Sequence, residues 1–353
     1  MYDTSKEIED LFALEDDKLM KLSDETRRRY LGDGVYLRGI VEFSNICDKH
    51  CAYCGISADN SAIERYHLNA DEVLKAADHI ASCGIKTAVL QAGETDSLDE
   101  DWLSDVIRKI KSSYDMAVTL SVGEKSTSTY KKWKDAGADR YLLKIETTNP
   151  DIYSDLHPGM SLENRKKCLS DLKSLGYETG SGTLIGLPDQ TSKDIAADIK
   201  YFYDNDFEMI GIGPFIPHAN TPLQGAKAGD VSLVLRAIAS TRIVMKTVNM
   251  PATTAIGSMD RDYRDEALKW GANVLMPNFT PLPYKRLYEI YPDKRCINEP
   301  AGACAGCMEH MAAGAGRLID WGRGNRVKRM KPACRQAGMT NEAPEKSKKV
   351  EKK

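Results

Sequence analysis

The chain has 353 residues, enough for one large α/β barrel or two medium domains. Its 42% hydrophobic and 29% charged content is ordinary for a soluble globular protein, and 49 basic against 52 acidic side chains leave a net charge of -3. These values argue against a basic coat for nucleic acid, no run approaches the roughly 18 apolar residues of a membrane span, and the acidic, polar N-terminus reads as neither signal nor transit peptide. Nine cysteines in such a chain point to metal or redox chemistry in a reducing compartment, so a cytoplasmic location is expected.

In chain order, residues 1–34 read as an N-terminal helical segment, 35–280 as the barrel, 281–335 as a cysteine-bearing extension and 336–353 as a disordered charged tail. The first strand is expected over Val35–Phe43, with a cysteine loop at its C-terminal end. A helix follows from about Asp71 to Cys83, with Val73, Ala77 and Ile80 on one face and Asn69 and Glu72 at capping-box spacing. Strands two to four are expected over Thr87–Gln91, Ala117–Val122 and Arg140–Glu146. Strands five to eight follow near Glu178–Ile185, Met209–Gly213, Ala252–Ala255 and Asn273–Met276. Helical patterns fill the gaps, for instance Ser126–Ala136 and Leu233–Lys246. Eight strand–helix units in one direction predict an α/β fold of (β/α)8 TIM-barrel type, with chemistry at the C-terminal ends of the strands.

Cys47, Cys51 and Cys54 form a Cys-x3-Cys-x2-Cys run directly after the first strand. Three thiolates in one short loop can hold three irons of a 4Fe-4S cluster and leave the fourth open to a small molecule. A zinc knuckle would need a fourth ligand nearby, and His50 is the only candidate inside the loop. The run, with the aromatic Tyr53 before its last cysteine, resembles the signature of radical S-adenosylmethionine (SAM) enzymes. In that family the open iron takes the amino and carboxylate groups of SAM.

Gln91-Ala92-Gly93-Glu94 closes strand two, and Ser121-Val122-Gly123-Glu124 closes strand three. A glycine for close backbone approach and a carboxylate for an ammonium suit the methionine end of SAM, through Gly93 and Glu94; an ordinary βα turn is the plainer reading. Strand alternation puts Arg140, Lys144 and Glu146 on one face, where unpaired buried charge is expensive. Either they pair with one another or they line a pocket for an anionic or zwitterionic ligand. Arg165, on the next helix, is within reach of the SAM carboxylate or is a solvated helix charge. Thr253 and Thr254 suit anion contacts at a barrel mouth, His218 reads as a satisfied loop histidine and Met276 as core. Cys296, Cys304 and Cys307 form a second set, Cys-x7-Cys-x2-Cys, fit for an auxiliary iron–sulfur cluster or, less readily, zinc. Cys83 and Cys168 read as buried core thiols and Cys334 as a free one.

Together, Glu42-Phe43-Ser44-Asn45-Ile46-Cys47, Cys51-Ala52-Tyr53-Cys54-Gly55, Tyr141–Pro150, Gly211–His218, Pro251–Ala255 and Ala272–Asn278 closely resemble HydE, the radical SAM maturase family of FeFe-hydrogenase, from roughly residue 8 to residue 330. The resemblance implies a complete barrel with an internal cavity, with SAM and the 4Fe-4S cluster at the top and anion sites deeper. It implies reductive cleavage of SAM to methionine and a 5'-deoxyadenosyl radical, which attacks a sulfur of a cysteine-bound Fe(CO)2(CN) unit delivered by a partner maturase. It places Tyr53, Gln91, Gly93, Glu94, Ser121, Glu146 and Arg165 on the SAM side, and Arg140, Lys144, Thr253, Thr254, Met276 and Tyr291 around the substrate. It also implies an electron donor of flavodoxin or ferredoxin type, contact with other hydrogenase maturases, no nucleic-acid or membrane partner, and a dispensable auxiliary 2Fe-2S or 4Fe-4S cluster; a monomer is expected. One departure stands out. Where the family usually has Arg-His-Glu, this chain has Lys144-Ile145-Glu146, and both changes are expected at the deep anion site. Methylornithine synthase, a lysine mutase of the same chemistry, is the alternative activity, and a non-catalytic cluster carrier or a zinc-stabilised protein the alternative classes.

Overall fold

The computed structural model describes residues 4–300 and 303–327. The charged tail expected over 336–353 and Cys334 lie outside the described residues, as does the side chain of Cys304. The strands are β1 (Gly34–Leu37), β2 (Gly39–Ser44), β3 (Thr87–Ala92), β4 (Ala117–Ser121), β5 (Arg140–Leu142), β6 (Glu178–Ile185), β7 (Met209–Pro214), β8 (Val274–Leu275) and β9 (Leu318–Asp320). β2 to β7 pair in sequence order, all parallel. Parallel bridges Met209–Asn249 and Pro251–Val274 carry the ring from β7 to β8, and β8 pairs with β1. The bridge Ile40–Asn278 completes the closure, giving an eight-membered parallel barrel.

The first strand divides at Arg38 because its neighbour changes there: β1 pairs with β9 below, β2 with β3 above. The seventh barrel position is shifted from expectation. Pairing falls at Asn249 and Pro251, while Thr254–Gly257 coils into a short helix with Thr253 as its N-cap. The fourth strand is regular only over Arg140–Leu142, since Glu146 adopts a left-handed backbone at φ 64°. The expected helix runs from Ala70 to Ser82, and both capping-box bonds of Asn69 and Glu72 are formed, at 2.8 and 3.0 Å.

Apolar faces of the outer helices, such as Val73, Ala77 and Ile80, are fully buried against the strands, which places the main core between the two layers. The N-terminal helices Thr4–Phe12 and Asp16–Leu31 pack on Ser192–Asp204 and Val231–Met245. No helix among the described residues is long and apolar enough to cross a membrane.

The N-terminal end of the barrel is closed by residues 321–326. Arg323 O accepts from Thr87 Oγ1 (3.0 Å) and Arg140 (2.8 Å), and Gly324 O accepts from Arg38 (3.1 Å) and Asn249 (3.0 Å). Arg326 adds an ion pair to Asp206 at 2.7 Å.

Candidate active site

The loop after β2 puts Cys47, Cys51 and Cys54 at the opposite, C-terminal mouth. Arg65 holds this loop from inside: its guanidinium donates to the carbonyls of Asn45 (2.7 Å), Ile56 (2.8 Å), Ser57 (2.6 Å) and Asn60 (3.3 Å). Two neighbours tie the loop down, with Ala52 N–H donating to Leu156 O at 2.9 Å and Asp48 N–H to Glu94 O at 2.8 Å. A Cβ on Gly93 would lie 2.3 Å from Ile46 O and 2.9 Å from Cys47 Cβ, so only glycine lets the β3 turn approach the cysteine loop.

All three thiols are unbridged. Burial pushes the Cys54 thiol up to about 12 and raises Cys47 and Cys51, and the proximity of Cys54 and Cys47 raises Cys51 further. His50 is exposed and pairs with Asp59 at 2.8 Å, away from this group. Among the described residues, no three His, Cys, Asp or Glu side chains converge on a single-ion position. A four-iron cluster takes one thiolate per iron and needs no such convergence.

Beside the thiols lies a charged shell. Arg165 stands 2.7 Å from Glu124 and 3.4 Å from Glu94, and Lys49 stands 3.7 Å from Glu94. Burial raises the Glu94 carboxyl while Arg165 opposes the rise. Gly123, at φ +80°, makes room: a Cβ there would sit 2.1 Å from Glu94 Cγ. Lys144 Nζ meets Glu146 Oε2 at 2.8 Å.

Glu146 is strained, and the strain is held by its neighbours. Its N–H donates to Gly182 O at 3.0 Å, and its carbonyl accepts from Leu184 N (3.1 Å) and Thr183 Oγ1 (2.6 Å). That hydroxyl also lies 2.6 Å from Asp198 Oδ2. The hydroxyl proton is shared between these two acceptors, and Thr148 N–H and Oγ1 donate to the other Asp198 oxygen at 2.6 Å each; burial raises Asp198 to about 6 while these donors oppose the rise.

Six buried polar atoms in this shell make no aligned hydrogen bond: Glu94 Oε1, Glu124 Oε1, Glu146 Oε2, Tyr153 Oη, His157 Nε2 and Arg165 Nε. Four of them are held by ion pairs alone, Arg165 Nε with Glu124 Oε1, Glu146 Oε2 with Lys144 and Glu94 Oε1 with Lys49. Buried polar groups are rarely left so, and several together mark a place that a polar ligand completes. Carboxylates and a guanidinium with spare capacity suit a ligand carrying both an ammonium and a carboxylate, as SAM does.

Of the other predicted SAM residues, Gln91 and Ser121 are register partners on β3 and β4, with Gln91 donating to Tyr288 Oη at 3.1 Å. The Tyr53 ring stands edge-on to His157 and Phe215. Lys144 extends over a glycine floor, since a Cβ on Gly182 would meet its Cε at 2.8 Å. Thr253 Oγ1 lies against Gly213 and caps the helix Thr254–Gly257. Tyr291 is half-buried, with its hydroxyl directed toward Thr254 and Ser258. Met276 follows β8, half-buried. His218 is a buried loop histidine whose Nδ1 accepts from Asn220 N at 3.1 Å.

Two expectations are corrected. Arg140 is wholly buried at the N-terminal end of β5, bonded to Glu178 (2.5 Å), Thr87 (3.1 Å), Arg323 O (2.8 Å) and Asn325 (2.5 Å). It belongs to the floor and is not grouped with Lys144 and Glu146. Ile145 alternates with Lys144, is fully buried and sits in the apolar core, so only the lysine changes the lumen.

Of the second cysteine set, Cys296 has a left-handed backbone at φ 61° and borders a cleft of about 430 Å³ with Asp293, Arg295 and Glu299. Cys307 is exposed on the helix Ala303–Gly314.

Lys49, Arg65, Tyr153 and His157 complete the mouth without having been singled out in sequence, as does Glu124, which the sequence placed in the turn after strand three without a role. His157 Nδ1 lies 3.2 Å from Cys51 Sγ across 106 residues of chain, and no spacing rule links such a pair.

A parallel barrel with three cysteines after its first strand is the arrangement of radical SAM enzymes, and residues 41–202 match the Radical SAM superfamily model. The FeFe-hydrogenase maturase subunit HydE of Thermotoga maritima is 48% identical over 311 residues, 88% of this chain and 89% of the relative. The chain belongs to the HydE family of radical SAM enzymes. The 3-methylornithine synthase of Methanosarcina acetivorans is 26% identical over 73% of each chain. Among solved structures, methylornithine synthase superposes with a TM-score of 0.75 over 90% of this chain and 94% of its own, at 20% identity. The hydrogenase maturase HydG gives 0.74 over 88% and 71%, also at 20% identity; both likenesses speak for the fold alone.

Proposed function

We propose that Cys47, Cys51 and Cys54 hold the 4Fe-4S cluster, that the polar shell beside them binds SAM, and that the lumen beneath takes the sulfur-containing iron–carbonyl–cyanide precursor of a hydrogenase di-iron site. The observation that carries this is the buried polar shell around three thiols, in which six atoms make no aligned hydrogen bond and the carboxylates and guanidinium are held by ion pairs alone. When bound, the reduced cluster supplies the electron that cleaves SAM to methionine and a 5'-deoxyadenosyl radical. The protein's part is placement. Glu94 receives the SAM ammonium, Arg165 its carboxylate, and Gly93 permits the approach. Tyr53, Gln91, Ser121 and Glu146 face the remainder of the cofactor. Lys144, Thr253, Thr254, Met276 and Tyr291 bind the substrate, Lys144 as a point charge in a glycine-lined space.

The same reading assigns an auxiliary cluster to Cys296, Cys304 and Cys307, a flavodoxin- or ferredoxin-type electron donor, and contact with other maturases by a cytoplasmic monomer. A second reading rests on the 2.8 Å pairing of Lys144 with Glu146. A lumen cation already neutralised suits a zwitterionic substrate, such as an amino acid, better than an anionic complex. Anaerobic turnover of reduced, reconstituted protein with SAM, with and without the cysteine–Fe(CO)2(CN) complex, separates the two. The first reading expects strong stimulation of 5'-deoxyadenosine and adduct formation by the complex. Slow cleavage that ignores the complex but responds to an amino acid would favour the second.

A further inference from the structure

Two buried imidazoles flank the cysteine loop: His218 packs against Gly55, and His157 reaches the sulfur of Cys51. His157 follows the helix Pro150–Leu156, and its N–H donates to Tyr153 O at 3.0 Å. The same helix end receives Ala52 N–H from the cysteine loop at Leu156 O, 2.9 Å away. The ring is clamped on two sides, edge-on to Tyr53 at 5.7 Å and tilted over Tyr153 at 4.7 Å between centroids. Its position relative to Cys51 is therefore fixed by backbone and by packing, with Nδ1 3.2 Å from Sγ.

On the reading that Cys51 ligates the cluster, its sulfur is a thiolate, which accepts hydrogen bonds and has none to give. The contact then requires the proton on Nδ1, and leaves Nε2 as the unpartnered acceptor found in the shell. One-electron reduction of a cluster adds negative charge shared by its sulfurs, so a donor aimed at one sulfur favours the reduced state. We propose that His157 is a positioning residue that hydrogen-bonds the Cys51 sulfur and raises the reduction potential of the cluster, easing its reduction by a one-electron donor. No atom is transferred: one electron enters the cluster from the donor, and the Nδ1–H bond stays intact.

The test is an EPR-monitored redox titration of the anaerobically reconstituted holoenzyme with dithionite, without SAM or substrate. His157→Phe keeps an aromatic ring and removes the donor; His157→Gln restores an amide N–H. The Phe variant is expected to shift the reduced-to-oxidised ratio at the wild-type midpoint about tenfold toward oxidised, about 59 mV for one electron, and Gln to recover most of that shift. A Phe midpoint within twofold of wild type in that ratio would overturn the proposal. Should the Phe variant not take up cluster, 15N-histidine labelling of the wild type decides instead. A 15N coupling to the reduced cluster in pulsed EPR is expected, and its absence overturns the proposal. Failure of the wild type to take up cluster at all would instead sink the assignment of Cys47, Cys51 and Cys54 on which this rests.

Discussion

The two ends of the barrel are both built from buried charge, yet they treat it in opposite ways. At the floor, Arg140 is engaged by Glu178, Thr87, Arg323 O and Asn325, and the segment 321–326 serves Arg38, Asn249 and Thr87 as well. Arg38 Nε and Thr119 Oγ1, the latter on the register partner of Arg140, are the buried atoms there without a hydrogen-bond partner. At the mouth, six polar atoms on six residues make no aligned hydrogen bond, four of them being held by ion pairs alone, and one of the six residues, Glu146, has a strained backbone. A saturated network closes a barrel; an unsatisfied one of similar charge prepares a ligand site. Charge content alone does not separate the two, whereas hydrogen-bond satisfaction does.

Substitutions at each end break the comparison in different currencies. The largest effect is expected from Cys51→Ala: loss of cluster iron and of SAM cleavage to background, with unchanged far-UV circular dichroism. Next comes Arg140→Met, which leaves Glu178 uncompensated and is expected to lower unfolding free energy by about 3 kcal/mol in urea titrations. Its affinity for SAM should equal that of wild type; a weakened affinity with unchanged stability would mean that the floor is part of the site. Glu94→Gln should do the reverse, weakening SAM binding by about 10- to 100-fold in calorimetry, the worth of a hydrogen bond to a charged group, with little change in stability.

The smallest effect concerns pH. Burial raises Asp198 from 3.8 to about 6 in the folded protein, so between those values the folded state binds more protons than the unfolded one. Stability then falls as pH rises from about 4 through about 6, by at most roughly 1.4 kcal/mol per pH unit from this group. Asp198→Asn removes the titrating carboxyl and should flatten that slope in melts across the window. A slope unchanged by the substitution would show that another group takes up the proton in this window.

Much of the architecture was legible in sequence because period-2 strands and capped helices are local signals. The Asn69–Glu72 box and the strand at Glu178–Ile185 fell where the pattern put them. The seventh strand was displaced because two bridges at Asn249 and Pro251 leave no hydrophobic run to read. The cysteine loop was legible for the same reason as the caps: its three cysteines lie within eight residues. Arg140 misled because alternation reports which face a residue occupies and says nothing of height. Four residues of strand separate it from Lys144 by about 13 Å along the barrel. Ile145 was misread by neglecting that same alternation. His157 and Tyr153 carry no local signal at all; their role arises where a helix end docks on the cysteine loop.

The most direct test of the account is single-turnover formation of 5'-deoxyadenosine by reduced, reconstituted protein, comparing wild type, Arg140→Met and Cys51→Ala under anaerobic conditions. Equal product from wild type and Arg140→Met, with none from Cys51→Ala, is the predicted result. Product from Cys51→Ala, or none from a wild type fully loaded with cluster, would contradict the placement of SAM chemistry at the mouth.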